Sequence, residues 1–178
     1  IQSCMILDQQ GFVNKAYVND MIRKLYDIEL YPGDLNEFWE TNLGRYAECF
    51  DGAADLLELL RPYYKLAVIT NGDARGQRDK LEHSGILHYF DEVFISGAVG
   101  IAKPDTRIFL MAAEKLGVKP EECVFVGDGG SNELVGARAV GMKAIQAKWY
   151  TNQHPRKRDN IDGFLTAEEP LDVMKYIE

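Results

Sequence analysis

The stretch Cys123-Val124-Phe125-Val126-Gly127-Asp128-Gly129-Gly130-Ser131-Asn132-Glu133 decides how this chain is read. Its apolar opening, Cys123–Val126, predicts a short buried strand. The acidic residue placed directly behind it, flanked by glycines, is suited to ligating a hard cation. Magnesium asks for one or two carboxylates plus water and phosphate oxygens, so no dense cage of ligands is required. Asn132 and Glu133 open the next helix, from where they can hydrogen-bond the ligands of such an ion; an acid in a first helical turn also suits the helix dipole. The glycine run differs from a phosphate-cradling loop, because it lacks the Lys-Ser/Thr ending and follows a late strand. An EF-hand loop is excluded too, since no alternating acidic positions are present.

Outward from this stretch, residues 50–178 alternate helix and strand. Helices are predicted at Ala53–Leu60, 76–83, Asp105–Leu116, Asn132–Val140 and Leu171–Ile177. Strands are predicted at Leu66–Thr70, Glu92–Ser96, Cys123–Val126, Met142–Ala147 and Gly163–Leu165. Short apolar strands between helices imply a parallel sheet covered on both faces, and ligands of such sheets gather beyond the carboxyl ends of the strands. One strand ends in Thr70-Asn71-Gly72, where a hydroxyl and an amide can donate to a phosphoryl oxygen, although Thr is equally a good strand residue and Asn-Gly a good turn. After the next strand comes Lys103-Pro104-Asp105. The proline suits a helix start and a lysine there can reach a phosphate, although a surface lysine ahead of a helix is common. Each signal is weak alone. Their order, Thr70 then Lys103 then Gly127-Asp128, each closing a strand of one sheet, is the stronger observation.

Residues 16–49 read differently. Tyr17, Met21, Ile22, Leu25 and Ile28 recur at helical spacing, and Pro32-Gly33 breaks the pattern. Asp34 with Glu37 resembles a capping box, and Leu35, Phe38, Trp39, Leu43 and Tyr46 supply the apolar face of a second helix. Trp39 and Tyr46 are expected to pack against the core or the partner helix. The segment Ile1–Leu7 is mostly apolar and stops at Asp8; its length fits a buried strand or a helix tail equally well.

The formal charge of −8 argues against nucleic-acid binding, which favours a basic face. It leaves room for small anionic substrates, because a metal and one lysine set the local sign. Cys4, Cys49 and Cys123 are odd in number and widely spaced among apolar neighbours, which predicts buried free thiols and a reducing, cytoplasmic setting. No apolar run reaches the roughly 20 residues of a membrane span. His83, His88 and His154 have no ligand spacing, and His154-Pro155-Arg156-Lys157-Arg158 reads as a solvated basic loop.

At this point the residues resemble the haloacid dehalogenase-like hydrolases over roughly residues 50–178. Val68-Ile69-Thr70-Asn71-Gly72 is similar to the second motif of that family, Lys103-Pro104-Asp105 to the third, and Val126-Gly127-Asp128 through Glu133 to the fourth. Phe50-Asp51-Gly52 resembles the return from the family's helical cap. The resemblance implies an α/β fold, a Rossmann-like parallel sheet with helices on both faces, with residues 1–13 and 50–178 as core and 14–49 as a small helical cap. It implies a Mg2+-dependent phosphatase of small phosphorylated metabolites, working through an aspartyl-phosphate. Asp128 would bind the metal, Asn132 and Glu133 would support it, and Lys103, Asn71 and the Thr70 hydroxyl would stabilise charge on the phosphoryl oxygens.

The first motif of the family, which carries the nucleophile, is expected as an apolar strand followed by Asp, any residue, Asp, Gly and Thr. The one candidate is Cys4-Met5-Ile6-Leu7-Asp8-Gln9-Gln10-Gly11-Phe12-Val13. Gln10 stands where the general acid/base would be and cannot shuttle a proton; Phe12 replaces the usual Thr. Either Asp8 is the nucleophile position of a degenerate motif, or Ile1–Gly11 belongs to the cap and the family's first strand is missing. The short insert favours the second reading. Folding physics favours the first, since that strand is central and its absence leaves backbone groups unpaired within the sheet. Two rivals follow: a metal-independent dehalogenase of 2-halo acids, whose members also lack the second Asp, and a non-catalytic relative that binds without turnover. A receiver domain places its acidic residues ahead of the Thr, opposite to the order here.

Overall fold

The structure, a computed structural model, describes residues 15–28, 32–149 and 160–177. Two short helices open it, α1 (Lys15–Tyr26) and α2 (Leu35–Asn42), the second running into a 3-10 turn at Leu43–Tyr46. The alternating part follows as α3 (Ala53–Leu60), β1 (Ala67–Thr70), α4 (Ala74–His83), β2 (Glu92–Ile95) and the single turn α5 (Ser96–Val99). It continues with α6 (Thr106–Leu116), β3 (Val124–Gly127), α7 (Glu133–Ala139), β4 (Lys143–Ala147) and β5 (Leu165–Ala167), and closes in a 3-10 segment at Pro170–Tyr176. The expected alternation is therefore present, with most strand limits within a residue of the reading. The last strand lies two residues further on. Gly163 has a positive φ of 80°, and the Phe164 amide donates to the Ile161 carbonyl, so the predicted start is a turn instead. The closing segment is 3-10 where an α-helix was expected.

Among the described residues all strand pairs are parallel, and they form two pieces of sheet. β1 pairs with β2, Ala67 opposite Glu92 through Thr70 opposite Ile95. β4 lies between β3 and β5, with Val126 opposite Ile145 and Ile145 opposite Leu165. Among the described residues, the inner edges of β1 and β3 have no strand partner. Both pieces nonetheless share one apolar layer. Ala67, Ile69 and Phe94 from the first piece and Phe125 and Ala144 from the second pack with Ile108, Phe109, Ala112 and Ala113 of α6. Those four α6 residues fall on one helical face, and Ile108 and Phe109 are fully buried. Side chains of that kind contribute about 1.5–3 kcal/mol each, which fastens a helix too short to hold alone. Asp105 caps its start by accepting from the Arg107 amide, and Gly117, with φ 67°, ends it. The opposite face of the three-stranded piece is covered by Leu56 and Leu60 of α3 and by Val173, around Ile145.

The helices of residues 15–46 form as read, including the Asp34 side chain accepting from the Glu37 amide at 3.2 Å. Their buried faces differ from the expectation. α1 buries Val18, Asn19 and Ile22, while Tyr17, Leu25 and Ile28 are exposed. On α2 Leu35 is buried, but Trp39 (42% exposed), like Tyr46 of the 3-10 turn (79%), does not pack inward. The reason is a close backbone approach: α2 and the 3-10 turn lie on α4 through Gly44, where a β-carbon would stand 2.6 Å from Asp79 Cβ, and through Gly76, which faces the Glu40 carbonyl. A contact made by glycines leaves the large side chains on the outer side. Cys49 and Cys123 are free thiols but half-buried, not fully enclosed, and burial pushes the Cys123 thiol up. Cys4, Asp8 and the tract His154 to Arg158 lie outside the described residues. Among the described residues no helix is long and apolar enough to cross a membrane.

Candidate functional site

The carboxyl ends of β1 and β3 meet through Lys103. At the end of β1, Thr70 is half-buried, and its hydroxyl has no hydrogen-bond partner among the described residues. Asn71 follows, and both ends of its side-chain amide are engaged by one residue. Its Nδ2 donates to the Lys103 carbonyl at 2.9 Å, and its Oδ1 accepts from the Lys103 amide at 2.8 Å. Sequence reading offered Asn71 as a phosphoryl donor; the structure uses it to hold the lysine's backbone.

The loop around Gly72 is pinned from the end of β2. The Gly72 amide donates to Ser96 Oγ at 2.9 Å, and the Gly97 amide donates to the Gly72 carbonyl at 3.0 Å. A β-carbon on Gly97 would stand 2.7 Å from that carbonyl, so glycine is required for the approach. Asp73 caps α4 by accepting from the Gly76 amide at 2.7 Å. From α4, Gln77 Nε2 donates to the Asn71 carbonyl at 2.7 Å. Sequence reasoning missed Ser96 and Gln77. Asp73 was legible as an N-cap, but nothing in the pattern showed that the other two face this loop.

Lys103 is largely buried (12% exposed side chain), and its ammonium is ion-paired with Glu133 Oε2, itself 6% exposed. The ring of Phe125 lies beneath, its centroid 5.8 Å from Nζ. Glu133 also reaches back along the loop, where Oε1 accepts from the Gly129 amide at 3.3 Å. Gly127 makes room for it: a β-carbon there would collide with Glu133 Oε1. A buried ion pair with further hydrogen bonds is costly to break, because either partner alone would be an uncompensated charge. The pair therefore fixes β3's following loop against the lysine that hangs from β1.

Asp128 is half-buried in this loop, and its Oδ1 accepts from the Gly130 amide at 2.8 Å. Asn132 takes a left-handed conformation, φ 52°, at the start of α7; it is exposed and its side chain makes no capping bond. The structure thus gathers residues 70–72, 103 and 127–133 at one rim, with Glu133 turned to the lysine and Asn132 outward. Asp8 lies outside the described residues. Among those residues no three of His, Cys, Asp and Glu cluster as a metal cage. A separate cavity of about 500 Å³ lies beside the ends of β4 and β5, lined by Phe50, Trp149, Asp51, Glu168 and Glu169. Its carboxylates make it unsuited to a phosphate.

A family model described as haloacid dehalogenase-like hydrolase matches residues 9–141. The chain is 40% identical over 126 residues to a glyceraldehyde 3-phosphate phosphatase of Methanopyrus kandleri, covering 68% of this chain and 54% of that one. It is 45% identical over 112 residues to a phosphoserine phosphatase of Thermus thermophilus, covering 63% and 45%. The chain spans about half the length of these curated relatives. In fold it matches the HAD-hydrolase YfnB of Bacillus subtilis with a TM-score of 0.75 at 21% identity, over 99% of this chain and 78% of that one. The chain belongs to the haloacid dehalogenase-like hydrolases.

Proposed function

We propose that this haloacid dehalogenase-like chain carries the site of a magnesium-dependent phosphatase acting on small phosphate monoesters. The observation that supports the reading best is the rim cluster. A largely buried ammonium, a hydroxyl with no hydrogen-bond partner among the described residues and a glycine-flanked carboxylate come from the segment after α5, the end of β1 and the loop after β3. Both named relatives act on phosphomonoesters of three-carbon compounds, which fits a small substrate.

Lys103 neutralises charge on the non-transferring phosphoryl oxygens, and the Thr70 hydroxyl donates to one of them. Glu133 keeps the lysine aimed, so it acts on the lysine more than on a metal. The residues suit magnesium: Asp128 offers a hard oxygen ligand on a turn held by Gly130, and one or two carboxylates are enough for this ion. Magnesium bound there supplies positive charge to the phosphoryl oxygens.

Asp8 is the nucleophile in this reading. Its carboxylate oxygen bonds to phosphorus as the ester P–O bond breaks, and water then cleaves the acyl phosphate to release phosphate. With Gln10 unable to give a proton, the departing alcohol takes one from water, which favours good leaving groups. The edges of β1 and β3 that have no strand partner among the described residues support this role for Asp8. One apolar strand between them would join the two pieces of sheet and bring its end to the same rim. Residues 1–13 and 50–178 then make the core, and 14–49 the small cap.

The test is phosphate release from an aryl phosphate with magnesium and with excess chelator. Chelation is expected to abolish release, and Asp128→Asn or Lys103→Met to lower it by roughly 10²–10³-fold. Release that survives both substitutions overturns the reading. Chloride release from 2-chloropropionate in chelator would point to the dehalogenase alternative.

A further inference from the structure

Gln77 stands apart from the family-like motifs, on the first turns of α4, yet it touches the centre of the rim. Its side chain is half-buried and lies over Gly72, where a β-carbon would collide with its amide. Its Nε2 donates to the Asn71 carbonyl at 2.7 Å. The peptides on either side of Gly72 are already pinned from the end of β2 by Ser96 and Gly97. The Asn71 carbonyl, in the same peptide as the Gly72 amide, is held from α4 as well. With that peptide held at both its groups, the Asn71 Cα that carries the side chain, and with it both hydrogen bonds to Lys103, is kept in place. A chain of polar contacts thus runs from Gln77 through Asn71 and the Lys103 backbone to the ammonium paired with Glu133.

We propose that Gln77 is a positioning residue: by holding the Asn71 carbonyl and filling the space over Gly72, it sets the orientation of Asn71 and, through it, of Lys103. Its effect on turnover rests on the phosphatase reading above, whereas its effect on Lys103 does not. The helix that carries it also carries Gly76 and Asp79, the residues that meet α2 and the 3-10 turn.

Hydrogen exchange of the Lys103 amide, which donates to Asn71 Oδ1, reads the positioning directly, whether or not the chain turns over. Gln77→Met keeps the volume and removes the donor. It is expected to speed exchange at Lys103 by roughly three- to tenfold, the worth of one net hydrogen bond, while the Ile145 amide in β4 keeps its rate. Gln77→Glu adds a signature that packing alone would not produce. The carboxylate repels the Asn71 carbonyl, and the protonated acid donates to it, so protection at Lys103 should return as pH falls through the acid's titration, beyond the trend of the wild type. If Gln77→Met unfolds the chain, the pH comparison in Gln77→Glu decides. Lys103 exchange that is unchanged in Gln77→Met, or a pH trend in Gln77→Glu that matches wild type, overturns the proposal. On an active chain, kcat/KM for the aryl phosphate should fall in Gln77→Met and recover in Gln77→Glu at low pH. An inactive wild type with the expected exchange pattern would reject the phosphatase reading and leave the positioning role intact.

Discussion

β4 and β1 are both short parallel strands of mostly apolar residues, and they sit at different depths. In β4 the residues Ala144, Ile145, Gln146 and Ala147 are all buried, with β3 on one side, β5 on the other and helices over both faces. In β1 the equally apolar Ala67, Val68 and Ile69 are only half-buried, and so are all four residues of β3. β1 and β3 share one property: each has one hydrogen-bonded neighbour among the described residues where β4 has two. Burial in a parallel sheet comes from lateral neighbours as well as from covering helices. The two strands that are apolar enough for an interior and yet stay half-buried are the two that flank the break between the pieces of sheet among the described residues. Among the described residues the two pieces are joined by the α6 layer beneath and by the polar contacts of Asn71, Lys103 and Glu133 at the rim.

If the rim joins the pieces, removing its buried charge should have the largest effect. Glu133→Ala leaves the Lys103 ammonium buried without a counter-charge and is expected to cost about 3–5 kcal/mol in urea unfolding. Replacing both partners, as Lys103→Met with Glu133→Leu, should recover much of that loss. A single-mutant loss under about 1 kcal/mol would mean that the pair does not hold the pieces together.

A smaller effect sharpens the contrast between the strands. Ile145→Val removes one methylene from a fully buried site and should cost about 1 kcal/mol, whereas Ile69→Val in β1 should cost less than about half of that. Equal losses would show that β1 is as enclosed as β4, which is the outcome expected of a strand seated against its inner edge.

The smallest effect concerns the exposed neighbour of the buried pair. Asp105 is held down to about 2 by the side-chain and backbone hydrogen bonds of Arg107. A carboxyl whose folded pKa is depressed stabilises above its ordinary value of 3.8 and loses that contribution as pH falls toward 2. Arg107→Gln should raise the midpoint of the Asp105 carboxyl signal toward 3.8, with little change in stability at neutral pH. An unmoved midpoint would assign the depression to some other group.

The strands and the rim were legible in the sequence because each apolar run stops at a residue that cannot extend it: Asn71-Gly72 after β1, and Asp128 between glycines after β3. A parallel sheet then dictates that those stops lie on one side. The faces of the 15–46 helices were not legible. Phe38, Trp39 and Tyr46 form an apolar series at nearly helical spacing, but Gly44 and Gly76 set the contact with α4, and a glycine contact leaves no mark in a hydrophobic pattern. Asn71 was legible as a rim residue, but its hold on the Lys103 backbone was not, since those two hydrogen bonds span 32 residues of sequence.

The linear order of residue types was therefore sufficient for the alternation of helix and strand and for the family, because local periodicity and chain stops govern both. The partners were decided only on folding: Lys103 against Glu133, Asn71 against the lysine's backbone, Gln77 over Gly72. Hydrogen bonds and ion pairs are chosen by which groups lose water together, and that depends on how the pieces of sheet and their helices pack, not on spacing along the chain.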